Sequence, residues 1–444
     1  MNNVDSLIQF IRETRIEKCE PKVQEQAKKC LVDLIMVMIC GTRNQSSKTI
    51  ADYSERIYPG QDATIMQNGK KSSLLGATLA NATAANALDI DDGYSMTMGH
   101  PGAGIIAGIL ASAEYSKSTL GDVLSALLVG YECAMRQGLC LQDYYNFYHS
   151  TGSYAGFGTA AAAGKLLNLT DVQIKNALGI ADYYGPLVPC MRTVSEPSLN
   201  KDGIYLGAKV GMEAVLLAES GVDGKAHLLG DDKYTSFIDS LGKKWYIFDL
   251  YFKFFSCCRW AQGALTALKK IKENNSLDAD SIEAINVYSY GASGKLYTGM
   301  PKNETEAQYN MLYPIASFIV NGDFGPLQSS INIDKSDAIS NLMGKVSYNC
   351  DPDYEKQFPA KRFTRVEIKL KDGKTIISEP TEPLGEPTSN VTIDEIINKG
   401  IKINAPYCDQ ATIEKICCLI VNGNYDDDFS VIYKCILDAA KADQ

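Results

Sequence analysis

Several things are scarce in these 444 residues, and each scarcity removes a class of function. Only three histidines occur, and no two cysteines among thirteen form a C-x-x-C pair. Neither H-E-x-x-H nor clustered thiols is present, so the usual zinc patterns are missing. No G-x-x-x-x-G-K-[ST] and no strand–G-x-G-x-x-G–helix occurs, which removes the common phosphate-cradling loops. Basic runs are absent too. Net charge is −10, and a nucleic-acid partner, which would need a basic face, is excluded. The most apolar stretch, "LVDLIMVMIC" (31–40), carries an aspartate and covers about half a bilayer, so a membrane partner is not expected. The amino terminus lacks a basic head followed by an apolar block. An odd cysteine count with adjacent pairs at Cys257–Cys258 and Cys417–Cys418 points to reduced thiols and a cytoplasmic location.

What remains is a chain that is 45% hydrophobic and 22% charged, ordinary for a globular protein and long enough for two domains. Residues 4–40 read as two helices, with Pro21 opening the second and Gly41 closing it. From 72 to 221 the chain is rich in alanine, glycine and serine at helical spacing, which predicts helices whose axes approach closely. Near 270 the texture changes. "SIEAINVYSY" (281–290), "KVSYNCD" (345–351) and "TRVEIKLKDGKTIISE" (364–379) alternate in the manner of strands, the last with a hairpin signal at Asp372-Gly373. Helical patterns separate them, and helix returns after the proline-rich link at 379–390. The expected fold is mainly α: a large all-helical domain over 1–268, with 391–444 packing back on it, and a smaller α+β domain over 269–390.

The richest stretch is "ALDIDDGYSMTMGHPGAG" (87–104). Asp89 and Asp92 are spaced to share a helix face, and Pro101 suits the first position of a helix, with His100 as its N-cap. Such an amino terminus, with alanine and glycine in its first turn, suits a carboxylate ligand. A plain polar loop between helices is the alternative. The aspartate spacing also loosely suggests a magnesium motif of helical prenyl enzymes, but Gly93 stands where a further aspartate belongs. His149 likewise precedes hydroxyl residues and a small-residue helix, whereas His227 lies in an ordinary turn. Lys201 precedes another small-residue helix. Lys253, inside "LYFKFFSCCRW", is either partnered or a stem with an exposed amine. Together these residues suggest acid/base chemistry on an anionic substrate, with no metal site.

At these positions the sequence resembles the MmgE/PrpD family, which includes 2-methylcitrate dehydratase, cis-aconitate decarboxylase and iminodisuccinate epimerase. The "LDIDD…HPG…LASAE" block carries the resemblance, as do "GYECAMRQG", "HSTGSYAGFGTAAAAGKLLNL", "KDGIYLGAKVGMEAVLLAESGVDG", "FKFFSCCRWAQGALTAL" and "EAQYNMLYPIASFIVNG", all in order. It implies that the α+β domain is a lid, that the protein is a homodimer, and that catalysis in the cleft needs no cofactor. The family's site positions fall on Asp89, His100, His149, Lys201, Lys253 and Tyr313, with Tyr309 nearby and Arg259 and Trp260 as pocket neighbours. On this reading His100 and His149 divide acid and base duties, with Asp89 tuning the imidazole. Tyr313 assists protonation, and Lys201, Lys253, Arg259 and Asp92 bind substrate. The expected activity is that of a hydratase or dehydratase on a di- or tricarboxylate. Decarboxylase, epimerase and a silent carboxylate-binding paralogue are the alternatives. Departures cluster near the pocket: Gln262 replaces a histidine, Gly93 a threonine, and "KFFSC" lacks a proline. The path to His100 is one residue longer, and 183–198 replaces a smaller loop.

Overall fold

A computed structural model describes residues 2–275 and 277–441. Helix α1 (Asn3–Glu13) starts where the Asn2 side chain accepts the Asp5 N–H. Helix α2 (Pro21–Gly41) starts on a proline, whose missing N–H is no loss in a first turn. Residues 30–41 of α2 are all buried, and this all-round apolar helix is the axle of the larger core. Around it pack α3 (Gln45–Ile57), α4 (Leu74–Asn86), α5 (Pro101–Ser116), α6 (Leu120–Tyr144), α7 (Gly152–Leu166) and α8 (Asp171–Tyr184). The short α9 (Met191–Ser195) and then α10 (Ile204–Glu219) and α11 (Thr235–Asp239) follow.

The small residues do what their spacing predicts. A Cβ on Gly207 would lie 2.5 Å from the Gly152 Cα, and one on Gly211 only 2.2 Å from the Gly156 carbonyl oxygen. Helices α7 and α10 therefore touch backbone to backbone. Their amino-terminal ends are brought together, and the Gly152 N–H donates to the Asp202 carbonyl at 2.8 Å.

Short strands tie loops to this bundle. β1 (Ala63–Thr64) pairs with β2 (Lys71–Ser72), and β3 (Gly93–Tyr94) pairs antiparallel with β4 (Leu250–Tyr251). The second pair clips the aspartate-rich turn to the segment that delivers Lys253.

Helix α12 (Arg259–Asn274) leads into the second core. Strands β5 (Ile282–Ser289), β6 (Val346–Cys350), β7 (Arg365–Leu370) and β8 (Thr375–Ile377) form one sheet in the order β6-β5-β7-β8. β5 and β6 are parallel. β7 runs antiparallel to both β5 and β8, and the Asp372-Gly373 turn closes the β7–β8 hairpin with Gly373 at φ +87°. Helices α13 (Glu304–Gln308), α14 (Leu312–Asn321), α15 (Asp337–Met343) and α16 (Pro352–Glu355) complete this part. Trp260, Leu265, Leu268 and Ile271 of α12 pack with Ile285, Val287 and Ile368 of the sheet. A division at 268/269 thus cuts through one helix. The change of core comes before Arg259, because α12 has the pattern of the preceding helices but turns its apolar face the other way. Helices α17 (Ile393–Asn404), α18 (Gln410–Asn422) and α19 (Phe429–Lys441) return to α2. Among the described residues no helix is long and apolar enough to cross a membrane.

Candidate active site

The turn after α4 folds inward, although three aspartates on a loop would be expected to face water. Asp89, Asp91 and Asp92 are all buried, and Asp89 sits at φ +49°, a left-handed conformation that aspartate tolerates better than most residues. His100 is the N-cap residue of α5 and Pro101 its first residue, as the sequence predicts. The His100 N–H donates to Thr151 Oγ1 at 3.0 Å, which fixes the start of α5 against the start of α7.

The His100 ring lies in a cage of carboxylates. Its Nδ1 is 3.1 Å from Asp91 Oδ2 and its Nε2 is 3.2 Å from Asp202 Oδ2, with Asp89 Oδ1 at 3.8 Å from Nε2. Asn86 Nδ2 donates to Asp91 Oδ1 at 3.0 Å, and Cys190 Sγ donates to Asp202 Oδ1 at 3.0 Å, so both flanking carboxylates are themselves oriented. Burial and the Lys253 charge oppose the imidazolium. Asp91 and Asp202 outweigh them and hold the ring's pKa well above its ordinary 6.5. Conversely, burial pushes Asp91 and Asp202 up, but the imidazolium pulls both below the ordinary carboxylate value. His100 is therefore a cation donating from both nitrogens.

Lys253 is fully buried and partnered. Its Nζ donates to Asp89 Oδ1 at 2.5 Å and to the Asp89 carbonyl at 3.2 Å. Burial alone would lower its pKa, yet Asp89 and Asp91 raise it above the ordinary lysine value. Lys201, at φ +39°, spends all three N–H groups on protein acceptors: Asn86 O and Ala87 O at 2.8 Å and Gln308 Oε1 at 2.6 Å. It bolts the end of α4 to α13. Arg259 pairs with Glu386 Oε1 at 2.6 Å, donates to Leu384 O at 2.9 Å, and stacks 4.2 Å from the Tyr251 ring.

Other expected site residues lie apart from the ring. The Asp92 side chain turns away from it, accepting from Tyr131 Oη and from Gly102 N at 3.2 Å in the first turn of α5. Burial raises its pKa to about 7, with Asp33 and Asp91 adding to the rise and Tyr131 opposing it. His149 packs on Phe147, with ring centroids 4.0 Å apart, and its Nε2 lies 3.2 Å from the Tyr145 carbonyl. Burial lowers its pKa, so it is neutral. The Tyr313 hydroxyl donates to Gln328 O and accepts from Asp334 N, both at 3.0 Å, within the second core. Tyr309, the neighbour that the resemblance ranks lower, lines the cavity beside His100, together with Tyr148 and Tyr251.

That cavity holds about 20 Å³, room for roughly one water-sized body. His100, Asp202, Tyr309, Arg259, Trp260 and Arg362 contribute to its wall. A groove of about 820 Å³ lies on the other side of α9. Cys190 and Val194 face the small cavity, while Met191, Arg192, Thr193 and Ser195 face the groove, so α9 is the partition between them. The groove is of ordinary ligand size.

Two sequence departures acquire a reason. A Cβ on Gly93 would lie 2.3 Å from the Tyr251 hydroxyl and ring, so a threonine there is incompatible with Tyr251 in its present place. Gln262 does not reach the cavity wall; its amide donates to the carbonyls of Phe255 (3.0 Å) and Cys257 (2.9 Å) and shapes the loop before α12. Sequence reasoning passed over Asp91, Asp202 and Arg362. Asp91 lay inside the very stretch singled out, and Asp202 beside Lys201, but charge spacing alone does not tell which carboxylate meets the ring. One oxygen or nitrogen each of Asp89, Asp91 and His100 fall within 4.8 Å of one another, a grouping able to ligate a cation, and the Lys253 ammonium already sits against it.

Comparison with known proteins matches residues 5–245 to the MmgE/PrpD N-terminal domain and residues 255–420 to the MmgE/PrpD C-terminal domain. The chain is 23% identical to a cis-aconitate decarboxylase of Aspergillus terreus, over 92% of this chain and 90% of that relative. It is also 23% identical to the cis-aconitate decarboxylases of Mus musculus (99% and 94%) and Homo sapiens (96% and 93%).

Proposed function

The chain belongs to the MmgE/PrpD family and is an enzyme of the dehydratase/decarboxylase type; from that premise we propose a lyase that moves a proton alpha to a carboxylate of a di- or tricarboxylate. The observation that carries this reading is the doubly bonded His100 imidazolium at the wall of the cavity. An imidazolium held protonated at neutral pH suits proton donation, either to a departing hydroxyl or to the carbanion left by CO2. Both steps pass through an enolate-like anion: loss of CO2 leaves it in decarboxylation, and in dehydration the Asp202 carboxylate on the same wall takes the alpha proton before His100 protonates the departing hydroxyl. The N–H groups of His100, at the wall of the cavity, are the donors that would turn to that anion in a site of low dielectric. Tyr309 lines the same wall and is the nearer tyrosine for a second proton transfer.

Decarboxylation is the second reading, favoured by the similarity to the cis-aconitate decarboxylases above. Epimerisation shares the same anion. The proposed chemistry uses no cofactor and no metal, because the Lys253 ammonium supplies the positive charge that Asp89 requires. We further propose a homodimer, supported by the exposed Tyr183, Tyr184, Leu187, Leu199 and Leu206 around the groove. A cytoplasmic location accords with the absence of a disulfide among the described residues.

The test is NMR in D2O with citrate, methylcitrate, aconitate and amino-dicarboxylates, before and after dialysis against a chelator. Deuterium uptake alpha to a carboxylate with loss of water or CO2, unchanged by the chelator, is expected. No exchange with any of them would refute the reading. Exchange without net loss would assign an epimerase, and metal-restored activity would move the site to the Asp89–Asp91–His100 group.

A further inference from the structure

The cations around the cavity are not equally committed. Lys253 is neutralised by Asp89, Arg259 by Glu386, and His100 by Asp91 and Asp202. Lys201 has no N–H left to give. Arg362 differs from all of these. It is 2% exposed, yet among the described residues its only polar partners are Ser95 Oγ at 2.6 Å and the Ser95 carbonyl at 3.3 Å, and its Nε, like that of Arg259, is buried without a partner among them. Among the described residues no carboxylate lies within ion-pair distance of it. Two rings share its charge, Tyr251 at 5.8 Å and Phe358 at 5.9 Å. A buried guanidinium held by one serine and two ring faces is short of an anion, because desolvating a charge is costly unless an opposite charge or full hydrogen bonding offsets it.

Its place gives the missing anion a location. Arg362 comes from the second core, just before β7, and reaches across to Ser95 in the turn between β3 and His100. It shares the small cavity with His100 and Asp202. We infer that Arg362 is the substrate-binding residue that anchors a carboxylate of the substrate, setting the adjacent carbon before His100. This rests on the carboxylate reading above and adds to it a residue that the sequence did not single out. The fork of a guanidinium takes a carboxylate in a bidentate grip, which a lysine cannot reproduce. Because the cavity is small, a substrate reaches Arg362 only as the walls part, and Arg362, which spans the two cores through Ser95, stands where they separate.

Tricarballylate, a saturated tricarboxylate with nothing to eliminate, separates binding from chemistry. Its Kd is measured calorimetrically for wild type, Arg362→Lys and Arg362→Ala, alongside KM and kcat for whichever carboxylate the wild type turns over. Arg362→Ala is expected to raise Kd and KM about 10- to 100-fold, the loss of a charged hydrogen-bonded pair. Arg362→Lys keeps the charge and the fold and is expected to recover only part of that loss. A folded Arg362→Ala with Kd and KM within twofold of wild type would overturn the anchor while wild-type turnover leaves the lyase reading standing. If the alanine variant does not fold, an Arg362→Lys variant with wild-type Kd and KM overturns it equally. A wild type that neither binds tricarballylate nor exchanges protons with any carboxylate would overturn both.

Discussion

At the scale of single residues the site is a problem in burying charge, and Asp92 exposes it most clearly. Its carboxyl is enclosed between Tyr131 and the first turn of α5, with a pKa of about 7 against about 3.9 in an unfolded chain. A carboxyl whose pKa is raised on folding favours the folded state fully only below the unfolded pKa. That advantage drains away as pH climbs from about 4 to 7, by at most about 4 kcal/mol. Asp92→Asn keeps the acceptor and removes the charge. Its Tm advantage over wild type should therefore widen between pH 4 and pH 8, whereas a constant difference would mean that the buried carboxyl is ionised at little cost. The sequence revealed that this stretch mattered and that His100 would cap α5. It did not reveal that Asp92 faces Tyr131 while Asp91 and Asp202 meet the ring, since that depends on one left-handed residue, Asp89, and on where α10 begins.

At the scale of elements the α7–α10 seam decides whether the site assembles at all. Asp202 reaches His100 because α10 can lie backbone to backbone on α7, and His100 is itself tied to Thr151 at the head of α7. Gly211→Val should lower stability by about 3 kcal/mol and weaken activity further, since added bulk would meet the Gly156 carbonyl. Gly164→Ala, on the same α7 but with no heavy atom nearer than 3.7 Å to the added carbon, should be stabilising by up to about 1 kcal/mol. Thermal melts of the two variants check the contrast, and equal losses would show that the seam is not special. The small-residue periodicity makes these helices legible in the sequence. Helix α12 was misallocated for the same reason: an amphipathic pattern gives the width of an apolar face but not the core against which it lies.

At the scale of the whole molecule, two cores meet around one small cavity, with the aspartate turn and α10 on one side and Arg259, Tyr309 and Arg362 on the other. The exposed apolar residues beside the groove should be covered by a second copy, so sedimentation should report twice the chain mass. Tyr183→Glu together with Tyr184→Glu should shift it toward the monomer, and a monomeric wild type would refute the dimer. The central claim is that His100 gives the proton. Its most direct test is a single-turnover reaction in D2O with the carboxylate that the wild type converts, comparing wild type with His100→Gln. A loss of about 10²- to 10⁴-fold in the rate of deuterium delivery, with the fold and tricarballylate binding retained, is what a general acid requires. Delivery at the wild-type rate by His100→Gln would contradict the account.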